Sequence, residues 1–304
     1  IVCTTEKVFF IQPNPINQLM TKHTKGEIIL KKKLSFLTAI AATAMLITGC
    51  GSDEETKGAS SGSGSDMNLL EDGKLTYASS GLYKPFNFTE AGELTGFDVE
   101  IGAAIAEKMG LEPNPVTTPW ETITQSLLGN KFDVIIGSMA ITEERAERVN
   151  FSDPYYYSGG MIFTPEGSND IASAEDLEGK TIGVVAQSTY DTAAQEYTDD
   201  IKYYNSDVVA LKDLTVEGRL DAVITADVVG FEAIANGMEI KEVGDPLWIE
   251  QAAVAVRKDD EKLLEEINKA IQEIVEDGTY EEISNKWFER NLLDVDLEGI
   301  EILN

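Results

Sequence analysis

The chain has 304 residues, 54 acidic against 24 basic side chains and a formal net charge of -30, which excludes a nucleic-acid binder built on clustered Lys and Arg. Its single histidine, His23, and both cysteines, Cys3 and Cys50, fall within the first 50 residues. From Gly51 onward, Ser-His-Asp and Cys-His catalysis, His or Cys zinc sites and disulfides are therefore unavailable.

The chain opens on residues 1–29, which we read as an untranslated leader carried into the sequence by reading in frame, or a disordered segment. The stretch "KGEIIL" is compatible with a ribosome-binding site followed by a start at Leu30. Residues 30–49 read as a lipoprotein signal peptide: three lysines, an apolar run from Leu34 to Ile47, then small residues. That run is too short to span a bilayer. The ending "ITGC" resembles the lipobox of bacterial lipoproteins, which implies a lipidated Cys50 as the mature N-terminus. The first 50 residues hold six lysines and two glutamates, leaving 18 basic and 52 acidic residues, a net of -34. Residues 50–70 are rich in Gly, Ser, Asp and Glu and read as a flexible tether. Two acyl chains make a stable anchor where one is marginal.

The body alternates strands and helices. "KLTYAS" (74–79) reads as a strand. "GFDVEIGAAIAEKMG" (96–110) reads as a helix with Asp98 near its start and Ile101, Ile105 and Met109 on a buried stripe. "EPNPVTT" is extended, "WETITQSLLG" helical and "KFDVIIGS" a buried strand. Thr142 is an N-cap, yet Arg145 stands three residues on, where a capping box wants Glu or Gln and the helix dipole favours an anion. After "MIFT" (161–164) the alternation restarts: "GKTIGVV" (strand), 190–198 (helix), "IKYYN" (strand), 206–217 (helix), "RLDAVIT" (strand) and 227–236 (helix). "QAAVAVRKD" (251–259) returns to a strand. Two helices close the body. The first has Leu264, Ile267, Ile271 and Ile274 on one face and ends at Gly278; Thr279 with Glu282 predicts a capping box for the second.

Two successive βαβαβ units imply two parallel sheets and two lobes. Ligands bind beyond the carboxyl ends of such strands, so facing lobes make a cleft. The boundaries expected are 71–158 plus 250–304 for lobe 1 and 159–249 for lobe 2, with hinge crossings near 157–161 and 247–251.

Several stretches resemble the family 3 solute-binding proteins, the polar-amino-acid receptors of ATP-binding cassette importers. They are "YKPFNF" (83–88), "GFDVEIGAAIAEKM" (96–109), "TPWETITQSLLGNKFDVIIGSMAITEER" (118–145), "VNFSDPYY" (149–156), "DLEGKTIGVV" (176–185), "GRLDAVIT" (218–225) and "EDGTYEEISNKWF" (276–288). They occur in family order over roughly residues 72–290. The resemblance implies a type II periplasmic-binding-protein fold, with the ligand caught in the cleft and delivered to a membrane permease with its cytoplasmic ATPase. It implies a monomer, lipid-anchored at the outer face of the bacterial cytoplasmic membrane, with no cofactor, no metal and no catalytic residue.

By the same resemblance Arg145 grips the ligand α-carboxylate. A guanidinium binds a carboxylate bidentately, and a helix N-terminus adds N–H donors. Ser188 and Thr189 would do the same from the second lobe, although both also read as an ordinary N-cap. Tyr83 and Trp120 match positions where aromatic rings pack on the ligand; Ser138 also falls among the ligand positions. Phe86 and Tyr155–Tyr157 read as structural.

Three positions depart from the pattern. Ala226 stands where the family commonly has the ammonium-binding Asp, with Asp227 one residue on, and a one-residue slip in a strand turns the side chain to the other face. Ala140 replaces a Ser or Thr, and Ser80 stands where receptors for cationic amino acids often have Asp. The amine end therefore looks poorly provided for. Either Asp227 substitutes, or the ligand is not a simple primary amino acid; an N-methylated amine against Trp120 and Tyr83 would use cation–π contact. The competing readings are a dehydratase-like enzyme on the same fold, with Asp227 as general acid, and a ligand-sensing lipoprotein. "DVDLEG" (294–299) opens like an EF-hand loop but lacks the glutamate required at position twelve.

Overall fold

The computed structural model describes residues 67–295 and 301–303. The leader, the signal peptide, Cys50, most of the tether and part of "DVDLEG" lie outside the described residues.

The first half opens with β1 (Lys74–Ser79), whose last five residues are buried, and a small antiparallel sheet of β2 (Leu82–Tyr83), β3 (Asn87–Glu90) and β4 (Glu93–Thr95). Helix α1 (Phe97–Lys108), β5 (Glu112–Thr117), α2 (Trp120–Leu128), β6 (Val134–Ala140) and α3 (Glu143–Arg148) follow. The alternation then repeats through β7 (Asn150–Pro165), β8 (Ile182–Val185), α4 (Thr189–Tyr197), β9 (Ile201–Tyr204), α5 (Asp207–Leu214), β10 (Ala222–Ala226) and α6 (Asp227–Ala235). Strand β11 (Ile240–Val256) and helices α7 (Glu261–Glu276) and α8 (Thr279–Phe288) close the body.

Where two separate sheets are expected from the repeat, one eight-stranded sheet runs through, in the order β5-β1-β6-β11-β7-β10-β8-β9. The reason is the length of β7 and β11. Each is long enough to reach both halves, and they pair antiparallel along most of their course. On one side β1 pairs in parallel with β5 and β6; on the other β8 pairs in parallel with β9 and β10. Pairing of β11 with β6 ends at Ala252 opposite Ala140, and pairing of β7 with β10 ends at Gly160 opposite Ala226. Between these limits Tyr157, Ser158 and Gly159 pair with Gln251, Glu250 and Ile249. The sheet therefore narrows to a two-stranded neck at the residues where the chain is expected to cross between lobes. Beside the neck, residues 301–303 bond Ile249 in both directions, at 2.7 Å and 2.8 Å.

Helices α7 and α8 return to pack on α1. The stripe of α7 is turned slightly from the expected one: Leu263, Ile267, Ala270, Ile271 and Ile274 are buried, and Leu264 sits at the margin. The capping box at Thr279 does not form. Gly278 is the N-cap, with φ 86°, and the Thr279 hydroxyl donates to Asp277 Oδ1 at 2.6 Å. A left-handed residue suits Gly, and the nearer aspartate wins the hydroxyl.

Helix α6 lies so close to β7 that a Cβ at Gly230 would fall 1.8 Å from the Phe163 ring. Gly230→Ala is expected to destabilise the protein by about 1–2 kcal/mol. Overpacking costs roughly 1–3 kcal/mol, against a helix-propensity gain of up to about 1. Thermal unfolding checks it; an unchanged or higher melting temperature would mean that the ring gives way freely.

Candidate functional site

A cavity of about 50 Å³ opens beyond the carboxyl ends of β1, β6 and β8, against the N-termini of α4 and α5 and the neck of the sheet. Of the nine residues singled out from sequence as ligand-binding, eight line it: Ser80, Tyr83, Trp120, Ser138, Ala140, Arg145, Ser188 and Thr189. A larger groove of about 840 Å³ lies on the other side of Arg145 and shares Trp120, Arg145, Ser188 and Thr189 with the cavity.

Arg145 owes its place to α3. Thr142 caps that helix, its hydroxyl accepting from the Arg145 N–H at 3.2 Å. This puts the cation in the first turn, against the dipole. The guanidinium donates to the carbonyls of Ala140, at 2.9 Å, and Gln187, at 3.4 Å. It lies over the Trp120 ring, 5.4 Å from the centroid. Among the described residues no carboxylate forms an ion pair with it. Burial pushes its pKa down, and the facing Glu250 carboxylate pushes the other way. A guanidinium has five N–H donors, so two carbonyls leave it most of its capacity.

Ser188 and Thr189 sit where β8 hands over to α4. The Ser188 hydroxyl is an N-cap, accepting from the Asp191 N–H at 3.1 Å and donating to the Val185 carbonyl at 2.7 Å. Its side chain is thus committed to the helix start. The Thr189 hydroxyl donates to Glu250 Oε1. What the start of α4 keeps for an anion is its backbone N–H groups.

Two aromatic walls frame the cavity. Tyr83 stacks on the fully buried Phe86 at 5.1 Å, and Phe86 stacks in turn on Tyr156 at 4.7 Å. The Trp120 Nε1–H reaches the Gln187 carbonyl at 3.4 Å, so Arg145 and Trp120, from α3 and α2, converge on one carbonyl just before α4. Gln187 presents that carbonyl from a left-handed backbone, φ 60°, uncommon for a residue other than glycine, with its own N–H donating to Asp191 Oδ2 at 2.9 Å.

Ser80 and Ser138 belong to one buried network. Asp98, fully buried in the first turn of α1, accepts from Asn87 Nδ2 at 2.7 Å, Ser138 Oγ at 2.8 Å and the Tyr155 hydroxyl at 2.8 Å. The Tyr155 hydroxyl accepts from the Ser138 N–H at 2.9 Å, which holds Ser138 at φ 59°. Ser80 Oγ donates to Asn87 Oδ1 at 3.0 Å. Both serine hydroxyls donate into the network, and Ser80 Oγ also accepts from the Leu82 N–H at 3.2 Å, so each oxygen has acceptor capacity to spare. Burial pushes Asp98 up to about 6, against the opposing pull of its three donors.

Asp227 does not line the cavity. It is the first residue of α6, and its Oδ1 accepts from the N–H groups of Gly159, at 3.1 Å, and Val228, at 2.6 Å. The slipped aspartate pins the helix start to the neck instead.

Two other buried acids line the cavity and were not singled out from sequence. Asp207 opens α5 and accepts from the Thr225 hydroxyl at 2.7 Å; burial pushes it up to about 6. Glu250 lies in the neck itself and accepts from Thr189, from the Tyr190 hydroxyl at 2.8 Å and from Trp248 Nε1 at 3.2 Å. Burial raises its pKa, and those three donors oppose the rise. Signals for both exist: Asp207 follows the strand-to-helix rule that picked out Ser188 and Thr189, and Glu250 is a lone acid in the apolar run "WIEQAAVAV". The cavity is thus lined by two carboxylates beyond the residues singled out from sequence. Among the described residues no group of His, Cys, Asp or Glu is placed to hold a metal ion.

The model of the bacterial extracellular solute-binding proteins, family 3, matches residues 75–290. The probable amino-acid-binding protein YxeM of Bacillus subtilis is 33% identical over 270 residues, covering 86% of this chain and 98% of that protein. The L-cystine-binding protein TcyJ of Escherichia coli is also 33% identical, over 72% of this chain and 84% of its own length. Among solved structures, the ancestral amino acid-binding protein AncCDT-1, a precursor of cyclohexadienyl dehydratase, aligns with a TM-score of 0.66. It is 32% identical over 71% of this chain and 96% of that one.

Proposed function

Because the chain belongs to family 3 of the bacterial extracellular solute-binding proteins, we propose that it captures an amino acid or related small carboxylate in the cavity around Arg145 and delivers it to an importer permease. The observation that carries this reading is the Arg145 guanidinium. It faces the cavity with two carbonyls as its hydrogen-bond partners and, among the described residues, no carboxylate in ion-pair contact.

The expected division of labour follows from the geometry. The carboxylate takes the free N–H groups of Arg145 and the backbone N–H groups at the start of α4. The ligand's body packs against Tyr83 and Trp120. Residues 71–158 with 250–304 form one lobe and 159–249 the other, closing about the neck where β7 and β11 pair alone. Contacts from both lobes to one ligand supply the differential affinity that favours closure. Export and lipidation at Cys50 would hold the receptor at the outer face of the cytoplasmic membrane, acting as a monomer.

The enzyme reading is weaker. Its candidate general acid, Asp227, is turned to the neck backbone, although Asp98 and Asp207 are acids whose pKa is displaced toward neutrality. The experiment is calorimetric titration with the twenty standard L-amino acids, followed by NMR of the bound one over time. Saturable binding with unchanged ligand supports the receptor; product formation supports the enzyme.

A further inference from the structure

Arg145 and Glu250 carry opposite charges, line the same cavity and act on one another electrostatically. Yet among the described residues they do not close an ion pair, and the Glu250 carboxylate accepts from the Thr189 hydroxyl instead. Opposite charges held apart across a small cavity are complementary to a dipole of the opposite sense, and an α-amino acid zwitterion is such a dipole. With the ligand carboxylate on Arg145 and the start of α4, its ammonium falls toward Glu250, one hydroxyl away from Thr189. A carboxylate has about four lone-pair positions. Thr189, Tyr190 and Trp248 occupy three, leaving Glu250 room to accept from an ammonium.

The alternatives fit less well. Asp227 is outside the cavity with its Oδ1 on two backbone N–H groups. Asp207 lines the cavity at the start of α5, with Oδ1 on the Thr225 hydroxyl, whereas Glu250 is bonded to Thr189 and Tyr190 in the first turn of α4, just after the Gln187 carbonyl that Arg145 reaches. The geometry points to Glu250 as the residue that binds the ligand's α-ammonium, from the neck of the sheet, in place of the aspartate missing at 226. This rests on the proposed function. It also means that the amine is read by a residue on the segment about which the lobes close.

The test compares amine-bearing and amine-lacking ligands. The tightest binder among the twenty standard L-amino acids is titrated against wild type, Glu250→Gln and Asp227→Asn, beside its desamino analogue. Glu250→Gln is expected to weaken the amino acid ~30- to 100-fold, as for loss of a charged hydrogen bond, and the analogue less than about threefold. Asp227→Asn should leave the ratio of the two affinities unchanged. If Glu250→Gln does not fold, Glu250→Asp serves the same comparison, since retracting the carboxylate by one methylene must shrink the preference for the amine. An unchanged ratio in the folded Glu250 variant, or a ratio that collapses in Asp227→Asn instead, overturns the inference while leaving the receptor intact. A wild type that binds only carboxylates without an amine overturns the inference alone, and one that binds neither amino acids nor such carboxylates overturns both.

Discussion

Arg145→Ala is expected to lose ligand binding by at least about a hundredfold while keeping its fold. A bidentate guanidinium–carboxylate pair is a charge-assisted contact, and removing one partner of a buried charge pair costs roughly 2–5 kcal/mol. At 1.4 kcal/mol per tenfold, the middle of that range is two to three orders of magnitude. The fold should survive because, among the described residues, the Arg145 side chain makes no ion pair, only two hydrogen bonds to carbonyls and one cation–π contact with Trp120. Its removal also relieves a cation at a helix N-terminus. The ligand-free variant should therefore be destabilised by no more than about 2 kcal/mol, the worth of two typical hydrogen bonds. Calorimetric titration and thermal unfolding, with and without amino acid, read both halves. Wild-type affinity in the variant would remove Arg145 from the site.

Acidification is expected to stabilise the ligand-free protein and weaken its ligand. Burial holds Asp98 and Asp207 up at about 6, against 3.8 for a free aspartate. Between about pH 4 and pH 6 the native state therefore binds more protons than the unfolded chain, and stability falls as pH rises through that window. Read downward, each group returns on the order of 3 kcal/mol at most, about two pK units at 1.36 kcal/mol each. Relief of repulsion in a chain of net charge -30 works in the same direction. Groups of opposite sign, such as Asp277, held low by Lys108, come into play only at more acid pH. Meanwhile protonation of Asp207 and Glu250 removes the negative charge available to an ammonium. Urea unfolding of the ligand-free protein at pH 7, 6 and 5, with calorimetric binding alongside, should show stability rising while affinity falls. Stability that declines steadily toward pH 5 would contradict the assignment of these buried acids.

The fold was largely legible because its elements announce themselves locally. The buried run of β6, the stripe of α1 and the hydroxyl residues before α3 and α4 each depend on neighbours in sequence. Most of the cavity lining was legible for the same reason. Arg145 violates a local rule of helix starts, and that violation is what singled it out in the sequence; the structure places it at the cavity. What stayed hidden depends on tertiary pairing. Asp227 looked like a substitute ammonium ligand, but the α6 start brings it against Gly159, which is distant in the chain. Glu250 reads as a misplaced acid until β11 is paired with β7 and Thr189 and Tyr190 arrive from α4. One continuous sheet appeared where two were expected because strand length, not alternation, decides whether halves share strands. Thr279 shows the same limit on a small scale: two caps were possible, and geometry chose Asp277.

The central claim is that the Arg145 guanidinium is held open in the cavity for the carboxylate of a small solute. Native mass spectrometry of freshly purified wild type beside Arg145→Ala tests it most directly. The account predicts an amino-acid-sized adduct on the wild type, released intact on denaturation, and none on the variant. The same adduct retained by both proteins, or a released molecule with no carboxylate, would contradict it.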